Sequence, residues 1–391
     1  GRVRKRRRLG FVGIFSLLVA CLVFFVLPLA LTGRTVVVPE FLQTKLEESL
    51  NSRLDGAPLR LGSIEMGIDR AGVPQLLMND IRLADQAGGA LAQLNWLGAE
   101  LSLERILKRE FAAEKIFLTG AQITIRRTAS GRFTLAAGPA LGGDEQSVSD
   151  VLSQIDAAMT DGVVSSLNEV VAAGIVLTLE DARSGRIWQA TNASATLRKT
   201  RDALSLTITS DVFDGTDDLA GLQLSLIRNR ATEHGQLGVT VENMRASDIA
   251  VQSPVLAWLG VLDAPISGAL RTELDETGTL ASFAGSLDIA AGALRPAENT
   301  PPVAFDAAKA YFTFDAAQQR IDFSEISFRS EDGSGLANGH TYLSEFNGAW
   351  PRAYLGQFQF EDLQYARGER FDGPLTLDDV QADLRVRLDP F

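Results

Sequence analysis

Cysteine and histidine are almost missing from these 391 residues. A single cysteine excludes a disulfide framework and a cysteine-rich zinc site. Two histidines, His234 and His340, lie far apart and leave little material for a histidine triad or cluster. Tyrosine and tryptophan number four each against 20 phenylalanines, so most aromatic rings carry no polar handle. Positive charge is scarce beyond the N-terminus. Arg2, Arg4, Lys5, Arg6, Arg7 and Arg8 stand in the first eight residues, which leaves 31 basic against 49 acidic residues in the other 383. A body with a balance of −18 is a poor polyelectrolyte partner for nucleic acid, and nucleic-acid binding is excluded. At 46% apolar and 22% charged residues the chain can bury a core, which excludes a disordered or collagenous chain.

The motifs of chemistry are missing too. There is no G-x-x-x-x-G-K-[ST], and no G-x-G-x-x-G between a strand and a helix. Gly333-Ser334-Gly335 reads as part of a polar turn and fails the G-x-S-x-G elbow. His234 and His340 both read as solvated turn histidines. Acidic pairs occur at Glu47-Glu48, Asp217-Asp218, Glu331-Asp332, Glu361-Asp362 and Asp378-Asp379, none with calcium-loop spacing. Adjacent carboxylates on a strand point to opposite faces, so these pairs suit solubility and edge protection better than acid–base work. No catalytic residue, metal site or cofactor is expected.

What is present begins with a hydrophobic run. Leu9 to Leu31 is 23 residues without a charge, roughly 35 Å of helix at ~1.5 Å per residue, enough to cross a hydrocarbon core of ~30 Å. The basic cluster lies immediately before it. The positive-inside rule then keeps residues 1–8 cytoplasmic and places everything after Arg34 across the membrane. The run is longer than a signal-peptide core and no clean small-x-small site follows it. Leu18-Val19-Ala20-Cys21 looks like a lipoprotein box, but ten more uncharged residues follow Cys21. The reading is a signal anchor at 9–31.

Past the anchor, Phe41, Leu42, Leu46, Leu50 and Leu54 fall at helical spacing, with Asp55-Gly56 as the stop. Strand alternation follows at Leu59-Leu61 and Ile81-Leu83, then a short helix at Leu101–Lys108. Ile116, Leu118, Ile123 and Ile125 alternate again, broken by Gly120. A Gly-rich joint covers 138–148. Leu152, Ile155, Met159, Val163, Leu167 and Val170 predict an amphipathic helix over 149–171, whose polar face carries Asp156, Asp161 and Glu169. From Gly174 onward, short alternating strands separated by Gly, Asp and Asn predict a meander of antiparallel hairpins with one apolar face. Ser253–Leu262 reads as a short helix or apolar loop, and no long helix set is available to cover the apolar face. Such a sheet either packs on itself or holds something apolar.

The stretch Ser102–Leu135 and the repeat-like Ile266–Leu294 resemble AsmA-like proteins. The matching positions are Ile106-Leu107, Ile116, Leu118, Gly120, Ile123, Ile125, Arg126 and Gly131-Arg132-Phe133 in the first stretch. In the second they are Gly268, Leu270, Gly278, Leu280, Gly285, Leu287, Gly292 and Leu294. The similarity is nearest to the YhdP-like branch, with TamB more distant. It implies a bacterial inner-membrane protein with a long, incompletely closed, taco-like β-sheet in the periplasm. It also implies an apolar groove that moves glycerophospholipids toward the outer membrane, and this chain as an N-terminal portion of a longer protein. The expected organisation is a cytoplasmic tail (1–8), the anchor (9–31), a helix plus first β-segment (32–137), the joint and amphipathic helix (138–172), and a β-groove segment (173–391).

On this reading the partners are glycerophospholipids, the inner membrane through residues 9–31, and outer-membrane or periplasmic proteins capping the groove. The groove candidates are Ile123, Ile125, Leu177, Leu179, Leu206, Ile208, Leu224, Leu226, Val239, Val241, Phe312, Phe314, Phe358 and Phe360. The alternative is a periplasmic β-domain that assists outer-membrane protein assembly by strand addition at an exposed edge. An anchored hydrolase is the least supported, given the poverty of His and Cys.

Overall fold

The computed structural model describes residues 35–51, 59–69, 71–84, 90–108, 112–128, 133–135, 165–182, 185–213, 219–232, 234–252, 254–274, 280–295, 300–346, 351–366 and 375–387. The anchor at 9–31 and the joint at 138–148 lie outside these residues. Among the described residues no helix is long and apolar enough to cross a membrane. The protein is mainly β, built of open, antiparallel-rich sheet, in two compact units, Gly1–Ser210 and Asp211–Phe391.

In the first unit the strands are β1 (Val36–Val37), β2 (Leu59–Arg60), β3 (Ser63–Ile68), β4 (Pro74–Ala84), β5 (Ala90–Leu101) and β6 (Ala113–Thr119). They continue with β7 (Gln122–Arg127), β8 (Phe133–Leu135), β9 (Glu169–Asp181), β10 (Arg186–Lys199) and β11 (Ala203–Phe213), in which the boundary between the units falls. Antiparallel ladders join β1 to β3, β3 to β4, β4 to β5, and β5 to β6. Helix α1 (Glu40–Asn51) buries Leu42 with Val38, Leu61, Ile64 and Met66. Phe41, assigned by its spacing to the apolar face of this helix, is instead 59% exposed. Helix α2 (Leu103–Leu107) buries Ile106 against Ala99, Leu101 and Ala113.

Two expectations are corrected in this unit. The sheet is not wholly antiparallel, because β6 and β7, which precede the meander, both pair parallel with β9. A parallel neighbour needs a long crossover, and the chain between β8 and β9 (136–168) supplies it. The amphipathic helix does not reach 171: Glu169–Val171 open β9, and Leu167 packs on Leu204. Leu167 and Val170 satisfied a helical spacing, but pairing of Glu169–Val171 with Lys115–Phe117 on β6 satisfies the backbone there in extended form. Residues 149–164, including Asp156 and Asp161, lie outside the described residues.

The second unit contains β12 (Ala220–Asn229), β13 (Gly235–Arg245), β14 (Leu262–Asp263), β15 (Pro265–Leu274), β16 (Leu280–Ile289), β17 (Gly292–Leu294) and β18 (Val303–Phe305). These are followed by β19 (Ala307–Asp315), β20 (Arg320–Ser330), β21 (Gly333–Ser344), β22 (Ala353–Tyr365), β23 (Leu375–Leu377) and β24 (Val380–Arg387). The main sheet runs β12–β13–β15–β16–β19–β20–β21–β22–β24, every neighbour antiparallel, with β23 pairing the far end of β22. His340 is not in a turn. It sits inside β21, edge-on to Tyr342 at 5.3 Å, and Gly333-Ser334-Gly335 opens the same strand.

The apolar face of this sheet is partly covered, by short segments and not by a long helix set. The C-terminal end of β13, the N-terminal end of β15, the C-terminal end of β16 and the N-terminal end of β19 all meet at one end of the sheet. Two insertions leave from that end. The first carries helix α3 (Ala246–Ala250), a 3₁₀ segment (Pro254–Val261) and β14; the second carries the β17–β18 hairpin. They join as one small sheet, with Leu262 opposite Leu294 and Leu294 opposite Val303. The Arg295 N–H donates to the Val261 carbonyl at 2.7 Å, and Arg295 also pairs with Asp263. The main core lies between this roof and the sheet, where Leu259, Ile266 and Ile321 are wholly buried with Phe312, Phe314 and Phe323.

Candidate functional site, a roofed apolar slot

Beyond that core the roof and the sheet separate and leave a slot of about 490 Å³, inside the ~300–1,000 Å³ range of small-molecule sites. Strand alternation sets its floor. Ala308 and Ala310 on β19, Phe323, Ile326 and Phe328 on β20, Gly356 and Phe358 on β22, and Leu384 and Val386 on β24 line it from below. A bulge between Phe323 and Ile326 keeps all three β20 side chains on the slot side, although their numbers change parity. Trp258 and Val261 of the 3₁₀ segment, Leu262, Leu294, Val303 and Phe305 line it from above.

Small residues stand beside the rings of the floor. On β21 Gly335, Ala337 and Gly339 lie across from Phe328, Ile326 and Phe323. A Cβ built on Gly335 would meet the Phe328 ring at 2.7 Å, and one on Gly339 would meet the Phe358 ring at 2.8 Å. The rings lean over the glycines and occupy the space that a side chain there would take. Where two large residues face each other instead, as Phe312 and Phe323 do at 6.0 Å, the space is closed.

Trp258 marks the change from sealed core to slot. Its ring stands edge-on to Phe312 at 6.2 Å and to Phe323 at 5.7 Å, while the residue also lines the open space. The buried indole N–H has no hydrogen-bond partner, so apolar contact alone holds the ring. The Trp258 backbone N–H, in contrast, donates to the Tyr354 hydroxyl. Burial drives that phenol's pKa up, against the smaller opposing pull of this hydrogen bond. The tie fixes the 3₁₀ segment over β22.

The electrostatics of the slot are weak. Among the described residues Lys309 is the one charged residue in its lining, and its ammonium is 2.8 Å from the Asp288 carboxylate, whose hydrogen bond raises the lysine pKa. Ser330 donates to the Gly333 carbonyl, and Thr341 is buried. The lining offers dispersion and hydrophobic contact, not polarisation or proton transfer. Among the described residues no group of three His, Cys, Asp or Glu could hold a metal ion.

Of the fourteen groove candidates, Phe358 lines the slot. Phe312 and Phe314 belong to the sealed core, and Phe360 is half-buried further along β22. Val241 packs against the same core, while Val239 and Leu224 are half-buried and Leu226 is buried. Leu177, Leu179, Leu206 and Ile208 are half-buried on β9 and β11 of the first unit. Ile123 and Ile125 lie on β7, paired with Leu177 and Leu179. Sequence reasoning missed the alanines and glycines of the floor and the assembly of the roof. The signal for the roof was the apolar run at 254–262 interrupting the strand rhythm.

The chain matches no model of a known protein family, no curated protein and no solved structure.

Proposed function

We propose that the protein is an inner-membrane-anchored periplasmic carrier of phospholipid, and that acyl chain occupies the roofed slot of the second unit while the head group stays in water. The observation that carries this reading is the slot itself: a preformed, hydrocarbon-lined space in which the one charged residue among those described is already paired. An apolar chain gains ~0.8 kcal/mol per methylene removed from water, so holding it needs no polar contact. The uncharged run at 9–31 behind a basic cluster, and the resemblance to AsmA-like proteins, support the location and the cargo.

Strand alternation supplies an internal control for the test. Phe358 faces the slot, and its neighbour Gln357 is exposed. A photoreactive phenylalanine analogue at 358, in the full chain expressed in bacteria, is expected to give phospholipid adducts on irradiation, and the same analogue at 357 is not. Equal labelling at both positions, or none at 358, would count against the reading.

The second reading, assistance to outer-membrane protein assembly by strand addition, draws on β24. This strand pairs with β22 and is exposed over most of its length. Adducts at 358 to protein and not to lipid would favour it.

A further inference from the structure

We propose, resting on the acyl-chain reading of the slot, that this site recognises the hydrocarbon segment of its ligand and is indifferent to head-group charge, with Trp258 as the residue that touches the chain. Three observations carry this. Among the described residues the slot presents no free cation: Lys309, the one charged residue of its lining there, is tied to Asp288 at 2.8 Å. A phosphate or carboxylate gains much from a buried charge-assisted contact, so a site built for anionic heads would present such a group unpaired. On the β24 side, Leu384 and Val386 line the slot yet remain 44% and 43% exposed, so this flank opens to water. A head group left at that flank keeps its hydration whatever its charge. Finally, the Trp258 ring is a wall of the slot and is held by apolar contact alone, so it contributes surface and no polar selectivity.

The substrate class is therefore a long-chain amphiphile chosen by the shape of its chain: zwitterionic and anionic phospholipids with the same acyl chains bind alike. The test uses the full chain and two probes with identical brominated acyl chains, one phosphatidylcholine and one phosphatidylglycerol. Bromine quenches tryptophan on contact. Both lipids are expected to quench with apparent affinities within about fivefold of each other, as exposed charges alone permit. Trp258→Phe should remove most of that quenching while leaving displacement of a fluorescent fatty acid intact.

Ala308→Phe, which fills the floor, should weaken both lipids equally, by about tenfold or more. Leu384→Gln at the exposed flank, where folding is not at stake, should weaken both in the same ratio. A preference between the two lipids greater than about tenfold, lost on filling the slot, would overturn head-group indifference while leaving the slot a lipid site. Saturable binding with quenching unchanged in Trp258→Phe would overturn the role of Trp258. Absence of saturable binding by either lipid would overturn the acyl-chain reading as well.

Discussion

Gly120 and Gly174 show how single residues fix the first sheet. Both adopt positive φ, +73° and +60°, and they stand side by side, Gly120 in the break between β6 and β7 and Gly174 within β9. The Gly120 N–H donates to Ala173 and the Val176 N–H to Ala121, so the β6–β7 break is matched by a kink in β9. An L-residue in the left-handed region costs about 1–2 kcal/mol. At Gly120 an added Cβ would also fall on the Asn95 amide, whereas at Gly72, likewise at positive φ (+84°), it would meet nothing within 4 Å. Gly120→Ala should therefore destabilise the protein more than Gly72→Ala, with the excess reporting the displaced Asn95. Urea unfolding of the two variants checks this. Equal losses would mean that the Asn95 contact does not matter.

At the scale of elements, β9 is held by charge as well as by its ladders. Glu169 lies opposite Lys115 on β6 and Arg198 on β10, with Arg198 Nε at 2.7 Å and Lys115 Nζ at 3.5 Å. Hydrogen bonding from Arg198 is the largest cause holding its carboxyl pKa below the ordinary value, with burial opposing and the Arg198 and Lys115 charges assisting. A carboxylate with a lowered folded pKa stabilises above its unfolded pKa, and that contribution disappears as pH falls through the folded pKa. The bases are largely exposed, so the stabilisation is at most about 1 kcal/mol. Glu169→Gln should lower the urea midpoint near neutral pH, and the gap to the parent should close on acidification to about pH 3. A gap independent of pH would show that the loss is one of packing and not of charge.

The same scale shows what was legible in the amino-acid order and what was not. Period-two runs such as Leu222-Leu224-Leu226 and Leu237-Val239-Val241 became β12 and β13 in register, Leu224 opposite Val239, because one buried face selects both strand and register. Leu103–Leu107 became a helix where its apolar spacing placed one. The start of β9 was misread because Leu167 and Val170 are three apart, a spacing that a short apolar segment can show in either state. His340 was read as a turn residue because Gly339 precedes it, although Gly339 lies opposite Phe358 inside the ladder. Of the roof, only the short helix or apolar loop at Ser253–Leu262 was legible. Its segments are two to eight residues long, and only the meeting of strand ends in space brings them together. The slot was invisible for the same reason: its lining comes from the roof and from strands far apart in the chain.

At the scale of the molecule, each unit is an open, antiparallel-rich sheet with its own core, and the second adds a roof over part of its apolar face. A fully closed sandwich would leave no room for a ligand. The partial roof seals Phe312 and Phe314 and leaves Ala308, Phe358 and Leu384 on open space. The account therefore stands on whether that space holds lipid. The most direct measurement is mass spectrometry of phospholipid extracted from the purified full chain, parent against Ala308→Phe, with thermal melts confirming that both fold. The account predicts phospholipid in the parent and its depletion in the variant at an unchanged melting temperature. Equal lipid in the two folded proteins, or a lipid-free parent, would contradict it.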